Sequence, residues 1–573
     1  MLLAIVVIEV IIFNSRWLVT AALPYSNNIP HIGNIVGSHL PADIFSRFLR
    51  LFGEDVVFVG GTDEHGSPIE VAAFKVGVTP KVLTDKYYVV HKKIYDWLGI
   101  SYDNFSRTSI QIHHELVQQI FLKLLNSGYI TKKKVLLPYT PHNKRFLPDR
   151  WVEGKCPICS YGRARGDQCE SCGNLLDPEQ LINPKSVIDG TTPQFKEVEH
   201  LFLDLPKFSD QLVKWIKNNK QLNKTTKNLS LGWLKTGLKE RGITRDLEWG
   251  IRVPLDGYKN KVFYVWFEAP WGYVSATVEW AEKNKRPDEW KKYWQQKDSK
   301  IVHFIGKDNI PFHTIIWPAT LMGVGGFNLP YNVVGLEFLN YEKDKISKSR
   351  NWGIFLDYDE KSDRVKVLVG DRSVDVDPDY LRFYLTYIMP ENKDSDFVWK
   401  DFEKKVNAEL IGNFGNFVFR TLSFIRSNFN QTIPEPDTLK LKDKNLLKKI
   451  TETKKIIHKN ILQANFRESL RAALELSSAG NKYIQDKKPW ETLKKNPDDC
   501  RNTLYVASNL VRALSVCFSP FVPFACERLW QQLQLEGSAA SQSWDEIDKI
   551  KLQPGHRIGR IEPLFKKFES KIE

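Results

Sequence analysis

The chain has 573 residues, 42% of them hydrophobic and 26% charged, with a formal net charge of +14. This suits an ordinary globular protein of roughly three or four domains, and the basic excess favours an extended polyanion such as RNA or DNA as partner over a merely basic surface. Of seven cysteines, four fall in one short stretch, while Cys500, Cys517 and Cys526 stand alone; this excludes a disulfide framework and reads as a reduced, intracellular protein with one metal site.

Residues 1–13 are nearly all apolar, with Glu9 among them. The run is shorter than the about 20 residues of a bilayer span, and it lacks the basic start and small-residue cleavage site of a secretory signal. It reads as an extra strand or as a start codon placed too far upstream. No other stretch has the length and apolarity of a membrane span, so a soluble, cytoplasmic protein is expected.

Residues 16–22 are apolar and β-prone and predict a buried parallel strand. A loop with Pro24, Asn27, Asn28 and Pro30 follows. From 33 to 51, Ile35, Leu40, Ile44, Phe45, Phe48 and Leu49 recur at helical spacing. Residues 55–59 make the next strand, closed by a turn at Gly60-Gly61-Thr62-Asp63. Strand, loop, helix, strand is the grammar of a nucleotide-binding parallel sheet, whose ligands sit at the carboxyl ends of the strands.

Between about 106 and 245 the texture changes to a cysteine-bearing segment and a Lys/Asn-rich stretch, 217–228, which together predict a domain inserted into the sheet. Strands resume at 262–267, 301–305 and 331–334, followed by a lysine-rich loop at 343–348. From about 401 onward helical periodicity dominates. Leu446, Leu447, Ile450, Ile457, Ile461, Leu462, Phe466, Leu470 and Leu474 form one stripe and Leu504, Leu510, Leu514 and Phe518 another, predicting a helix bundle. The Lys-rich stretch 442–459 reads mostly as solvated helix face.

Two loops carry the chemistry. In His31-Ile32-Gly33-Asn34, a helix beginning near Gly33 offers free backbone N–H groups to a phosphate. Gly33 lets a ligand pack against its backbone, and His31 supplies a donor. Alone, the tetrapeptide is a weak signal and reads as a structural turn. In Lys345-Ile346-Ser347-Lys348-Ser349 the lysines are mobile point charges that can close over a phosphate chain, and a solvated basic loop is the alternative. The two loops together favour a nucleotidyl-transfer site.

The pair resembles the HIGH and KMSKS signatures of class I aminoacyl-tRNA synthetases. Its surroundings resemble the methionyl-tRNA synthetase family: Thr20-Ala21-Ala22-Leu23-Pro24-Tyr25, Gly61-Thr62-Asp63-Glu64-His65-Gly66, Phe146-Leu147-Pro148-Asp149-Arg150, Tyr264-Val265-Trp266-Phe267 and His303-Phe304-Ile305-Gly306-Lys307-Asp308 follow its pattern in order. The resemblance implies ATP on His31, Gly33, Asn34, Gly306, Asp308 and Lys348, with His31, Asn34, Lys345 and Lys348 catalytic and Mg2+ accompanying the nucleotide. It implies attack of the methionine carboxylate on the α-phosphate, followed by attack of the terminal ribose hydroxyl of tRNA on the adenylate. A methionine pocket of Ala22, Leu23, Tyr25, Trp266, Pro270, Tyr273 and His313 is implied, with Asp63 holding the substrate ammonium. Asn416 and Arg420 are expected to contact anticodon bases, and Trp490 to stack on one. Without the resemblance, these aromatics would read as core and Asp63 as a turn former.

The fold so implied is α/β: a Rossmann-type parallel-sheet catalytic domain with a zinc-knuckle insertion, then an all-α anticodon-binding bundle. Its expected divisions are residues 1–115, the insertion 116–245 with its knuckle at about 139–181, then 246–342, 343–400 and 401–573. Three departures stand out. Asn34 replaces the second histidine of the signature, Ile346 replaces a methionine, and Glu268-Ala269-Pro270-Trp271 stands where the family more often has Asp-Ala-Pro-Ile. Cys156-x2-Cys159 and Cys169-x2-Cys172, with Gly166 and Gly173 nearby, have the spacing of a closed structural Zn2+ site, with an iron–sulfur centre or a vacant site as alternatives. The chain stops at Ile572-Glu573, where many relatives continue into a further module, so a monomer is expected. A synthetase for another apolar amino acid, a small-molecule nucleotidyltransferase and a non-catalytic tRNA-binding protein are the competing readings.

Overall fold

The computed structural model describes residues 15–569 apart from 143–144, 148–150, 167–168, 173 and 175. The apolar segment 1–13, Pro148-Asp149-Arg150, Gly173 and Ile572-Glu573 lie outside the described residues. Among the described residues, no helix is long and apolar enough to cross a membrane.

Five strands build the central sheet: β1 (Arg16–Ala21), β2 (Asp55–Thr62), β3 (Asn104–Arg107), β4 (Ser299–Gly306) and β5 (Asn332–Leu336). They lie in the order β5-β4-β1-β2-β3, every pairing parallel. The chain therefore steps outward from β1 in one direction and from β4 in the other. The crevice between those two carboxyl ends is the switch point where such sheets bind ligands.

Side-chain alternation along β1 feeds two cores. Trp17, Val19 and Ala21 join Phe45, Phe48 and the C-terminal helices on one face. Leu18 joins Val57, Val59, Phe121, Trp271 and Trp317 on the other. Burial on both faces is what an all-parallel sheet requires.

The helix expected after β1 is present but interrupted. One turn, Ile32–Asn34, passes into a π turn, Ile35–His39, before the regular helix Leu40–Leu51. The π turn places Ser38 under the switch point. Its hydroxyl accepts from the N–H of Ala22 at 2.6 Å and donates to the carbonyl of Phe304 at 2.8 Å, tying the ends of β1 and β4.

The expected strand at 262–267 is corrected. Only Val262–Phe263 is extended, and Val265–Glu268 is a helical turn. The partner strand, Thr244–Arg245, offers just two residues, so the ladder ends at Phe263. A short aromatic and β-branched run has no period that separates a strand from a buried helix.

Between β3 and β4 the chain makes the expected excursion. A long antiparallel ribbon, Ile130–Thr140 with Gln194–Leu203, leads to a three-stranded sheet in which Val152–Lys155 lies between Ala164–Arg165 and Ile182–Ser186. That small sheet has its own core, with Leu147, Trp151, Val152 and Leu181 in it.

The long C-terminal stripe belongs to two helices, Leu441–Leu462 and Phe466–Lys487, which pack with Pro497–Phe518. Leu446, Ile450, Ile457 and Ile461 are buried on the first and Phe466, Leu470 and Leu474 on the second. Ala464, at φ 57°, makes the turn between them.

Candidate active site and metal centre

The loop after β1 enters its helix through a reciprocal cap. The N–H of Asn34 donates to His31 Nδ1 at 3.3 Å, and the N–H of His31 donates to Asn34 Oδ1 at 3.1 Å. Nδ1 is thereby an acceptor, so a neutral His31 carries its proton on Nε2, available to an incoming oxygen. Burial, reinforced by the charge of Lys348, holds the His31 pKa down at about 3. Asn34 in place of histidine thus has a defined local role: its carbonyl oxygen fixes the loop through the cap.

The lysine loop closes on the same spot. A β-carbon at Gly33 would lie 2.9 Å from His31 Nδ1 and 3.5 Å from Ile346 Cδ1, so only glycine leaves this approach open. Behind it, Phe355 pairs with His31 in a short antiparallel bridge, their rings edge-on at 6.2 Å. The Lys348 side chain still reaches solvent, yet the surrounding protein lowers its ammonium to about 8. Lys345 lies over the Phe338 ring at 5.7 Å, and its charge acts on Asp308. Gly306 and Asp308 stand at the end of β4, where burial raises the Asp308 carboxyl. Their neighbour Lys307 is neutralised by Glu337 at 2.6 Å and Asp394 at 2.7 Å.

Aromatic residues crowd the mouth of the crevice. Trp266 stacks on Phe312, centroids 3.9 Å apart. Tyr273 donates its hydroxyl to His313 Nε2 at 2.9 Å, and His313 Nδ1 donates to the carbonyl of Asn309 at 3.1 Å. Burial depresses His313 to about 4, so it is a neutral acceptor. Beneath them, Trp317 Nε1 donates to His303 Nε2 at 3.2 Å, which leaves His303 Nδ1 to donate to Thr20 Oγ1 at 2.6 Å. Leu23 packs so closely over Gly272 that a β-carbon there would come within 2.7 Å of its Cδ1. Tyr25 pairs with Asp63 in a parallel bridge, and Pro270 is buried in the turn that follows Glu268.

Asp63 lies in the turn beyond β2. Its N–H donates to the carbonyl of Pro24 at 2.8 Å, and its carbonyl accepts from the N–H of Ser26 at 3.0 Å. Glu64 pins the turn from behind through Arg107, at 2.9 Å, and Thr62, at 2.7 Å. Gly66, at φ 90°, then starts the helix Ser67–Val76.

Glu268 and Trp271, two of the departures, are both fully buried. Trp271 is fully buried against Trp317 and Phe327. Glu268 bonds His65 and His113. Sequence reasoning missed Ser38, Phe312 and the roles of His65, His113 and His303. The two histidines of the quoted motifs were the available signal.

The four cysteines of the insertion converge. Their sulfurs lie within 4.8 Å of one another, with Cys159 to Cys169 at 3.5 Å and Cys156 to Cys172 at 3.9 Å. Thiolates about 2.3 Å from a tetrahedral ion stand about 3.8 Å apart, and the separations are far beyond a disulfide bond. The cluster is consistent with a structural metal site. The N–H of Ile158 donates to Cys156 Sγ at 3.4 Å, and Asn174 Nδ2 donates to Cys172 Sγ at 3.3 Å, which suits thiolates.

In the helical part, Asn416 and Arg420 sit one turn apart on the helix Asn416–Asn428. The Arg420 guanidinium lies over the ring of Trp490 at 5.6 Å, and Trp490 is 40% exposed.

Residues 17–422 match the family model described as tRNA synthetases class I (M), and residues 433–572 match the anticodon binding domain of methionyl tRNA ligase. A methionine–tRNA ligase of Thermococcus kodakarensis is 43% identical over 566 residues, covering 96% of this chain and 74% of the relative. One from Korarchaeum cryptofilum is 41% identical over 555 residues, covering 97% and 96%. Among solved structures, Mycobacterium tuberculosis methionyl-tRNA synthetase in complex with methionyl-adenylate is similar at a TM-score of 0.75 and 25% identity, covering 96% of this chain and 99% of the other.

Proposed function

The chain belongs to the class I methionyl-tRNA synthetases, and from that premise we propose how its residues divide the work. The reaction is the ATP-dependent joining of L-methionine to tRNA(Met) through methionyl-adenylate, releasing AMP and diphosphate. The observation that carries the assignment is the closure of the Ile346–Lys348 loop on Gly33 at the switch point.

ATP lies across the ends of β1 and β4. His31 Nε2–H, the Gly33 backbone and the amide of Asn34 meet phosphate oxygens, and Gly306 and Asp308 hold the adenosine. The substrate carboxylate attacks the α-phosphate in line. Lys345 and Lys348 draw off the charge that builds on the departing diphosphate, with Mg2+ arriving as part of the nucleotide substrate. No proton has to move in this step, so positioning and fixed charge supply the catalysis.

Ala22, Leu23, Tyr25, Trp266, Pro270, Tyr273 and His313 enclose the methionine side chain, and Asp63 meets its ammonium. Sulfur against aromatic rings is worth about 0.3–1.5 kcal/mol per contact. The neutral His313, already bonded to Tyr273, sets a polar limit to the pocket.

Cys156, Cys159, Cys169 and Cys172 hold one structural Zn2+, which when bound ties the insertion's small sheet together. Asn416, Arg420 and Trp490 read the anticodon, stacking being worth about 1–3 kcal/mol per base. We further propose functional divisions at 1–115, 116–245, 246–342, 343–400 and 401–573.

Methionine-dependent exchange of diphosphate into ATP tests the reading. Exchange with a different amino acid only, or with none, would overturn it. Trp490→Ala is expected to raise the tRNA KM about tenfold or more and to leave that exchange unchanged; an unchanged tRNA KM would remove Trp490 from recognition.

A further inference from the structure

Behind the pocket lies a carboxylate that the reaction so far leaves unused. Glu268 has no solvent exposure. Its Oε1 accepts from His65 Nδ1 at 3.1 Å and its Oε2 from His113 Nε2 at 2.7 Å, while His113 Nδ1 lies 3.0 Å from Ser275 Oγ. The backbone N–H of His65 reaches in turn to Asp63 Oδ1 at 3.4 Å. The connection Ser275–His113–Glu268–His65–Asp63 thus links the helix Gln111–Asn126, the turn Val265–Glu268 and the loop after β2.

Two carboxylates share this water-poor space. Burial pushes Glu268 up, but His65 and His113 outweigh it and bring the group to about 2. For Asp63, burial and then the charge of Glu268 push the same way, well above the usual carboxylate range. Glu64 adds to that push and is itself met by Arg107 and Ser109. Tyr273 faces Asp63 from the far side, and His114 lies beyond His65. Burial and Glu268 thus act in the same direction on Asp63, whereas on Glu268 the two histidines act against burial.

We propose that Glu268 is a positioning residue for methionine: through His65 it aims the Asp63 carboxylate at the substrate ammonium. The inference rests on Asp63 being the ammonium partner. It gives the glutamate at this family-variable position a task in substrate binding, although no atom of it lines the pocket.

The test is the pH dependence of the methionine KM in ATP–diphosphate exchange, for the parent chain, Glu268→Gln and Glu268→Asp. In the parent, KM rises as pH falls through the ionisation of Asp63. Glu268→Gln, nearly isosteric, removes the repulsion on Asp63 and moves that acid limb lower by about one pH unit. It also removes a countercharge, so KM on the alkaline plateau rises about tenfold, with kcat changing less than KM. Glu268→Asp keeps the charge and therefore the acid limb, with KM between the other two. An acid limb and plateau unmoved in Glu268→Gln would overturn the inference. So would a variant that loses thermal stability and kcat while its limb stays in place, because that is a purely structural role. Absence of methionine-dependent exchange in the parent chain would instead overturn the assignment of the pocket.

Discussion

Arg382 and Asp43 form a 2.7 Å ion pair with both side chains wholly buried. Asp43 sits on the helix beneath the switch point, and Arg382 on the helix Pro378–Tyr387 that leads to the bundle. The guanidinium also donates to the carbonyls of Leu98 at 3.0 Å, Pro520 at 2.6 Å and Phe521 at 3.1 Å. Burial alone would push Asp43 up, but Arg47 and Arg382 hold it at about 2. One side chain thus joins the nucleotide-binding sheet to the anticodon bundle.

Removing that side chain takes the donor from three carbonyls and leaves the buried Asp43 with Arg47 as its remaining guanidinium partner. Arg382→Met is expected to cost about 3–5 kcal/mol in urea unfolding. Arg382→Met with Asp43→Leu should cost less than the two singles added, since the contact between the two side chains is lost in each single and counted only once in the double. A single-variant loss below about 1 kcal/mol would show that water reaches the joint.

Acid should destabilise the fold through its buried histidines, against an opposite contribution from the buried carboxyls of Asp379 and Glu391, which burial raises to about 7. Burial depresses His31 and His39 to about 3, His91 and His313 to about 4, and His303 well below its usual value. Each folded pKa is below the unfolded value of about 6.5, so the unfolded chain binds more protons beneath that pH. The contribution is complete above about pH 6.5 and is lost as pH falls toward 3–4, at about 1.4 kcal/mol per pH unit for each histidine. Urea midpoints at pH 7.5 and 5.5 should therefore differ markedly. His39→Gln, between Tyr95 and Tyr102, should flatten the slope. Equal midpoints would mean that these imidazoles take up protons without unfolding.

What the sequence reveals follows from the range over which each feature is encoded. The parallel strands are apolar runs, legible where the run is local, as at β1; at β2 the expected turn at Gly60-Gly61-Thr62-Asp63 is strand as far as Thr62, held there by pairing with β3. The cysteine cluster is legible because its spacing fixes the geometry. The segment 262–267 misleads because its partner strand is only two residues long, so the ladder stops at Phe263 while the apolar run continues. The π turn at Ile35–His39 leaves the apolar spacing of the helix nearly intact, so only its hydrogen bonds reveal it. Glu268 could be noted as a departure, but its partners lie 155 and 203 residues away.

Lys348 stays open to solvent on the loop that closes on Gly33, where its ammonium, lowered to about 8 by the protein around it, can meet an arriving phosphate. Lys348→Ala should lower the rate of methionine activation about 100-fold or more, the scale of losing one preorganised charge-stabilising group. The methionine KM should change little, because the lysine loop meets the nucleotide and not the amino acid. Single-turnover adenylate formation separates the two. An unchanged activation rate would remove the loop from the chemistry.

The insertion's small sheet cannot hold itself by packing. Its core has few apolar side chains beyond Leu147, Trp151, Val152, Ala164, Leu176 and Leu181, and modules of that size need a cross-link or a metal. Purified protein is therefore expected to carry one Zn2+ per chain by elemental mass spectrometry. Cys172→Ala, or prolonged chelation, should empty the site and make the segment around 152–186 sensitive to protease while the helix bundle stays resistant. Because the small sheet's core is separate from the cores of the central sheet and bundle, most of the fold should survive the loss. A metal-free parent chain whose knuckle resists protease would show that the four thiols pack without an ion.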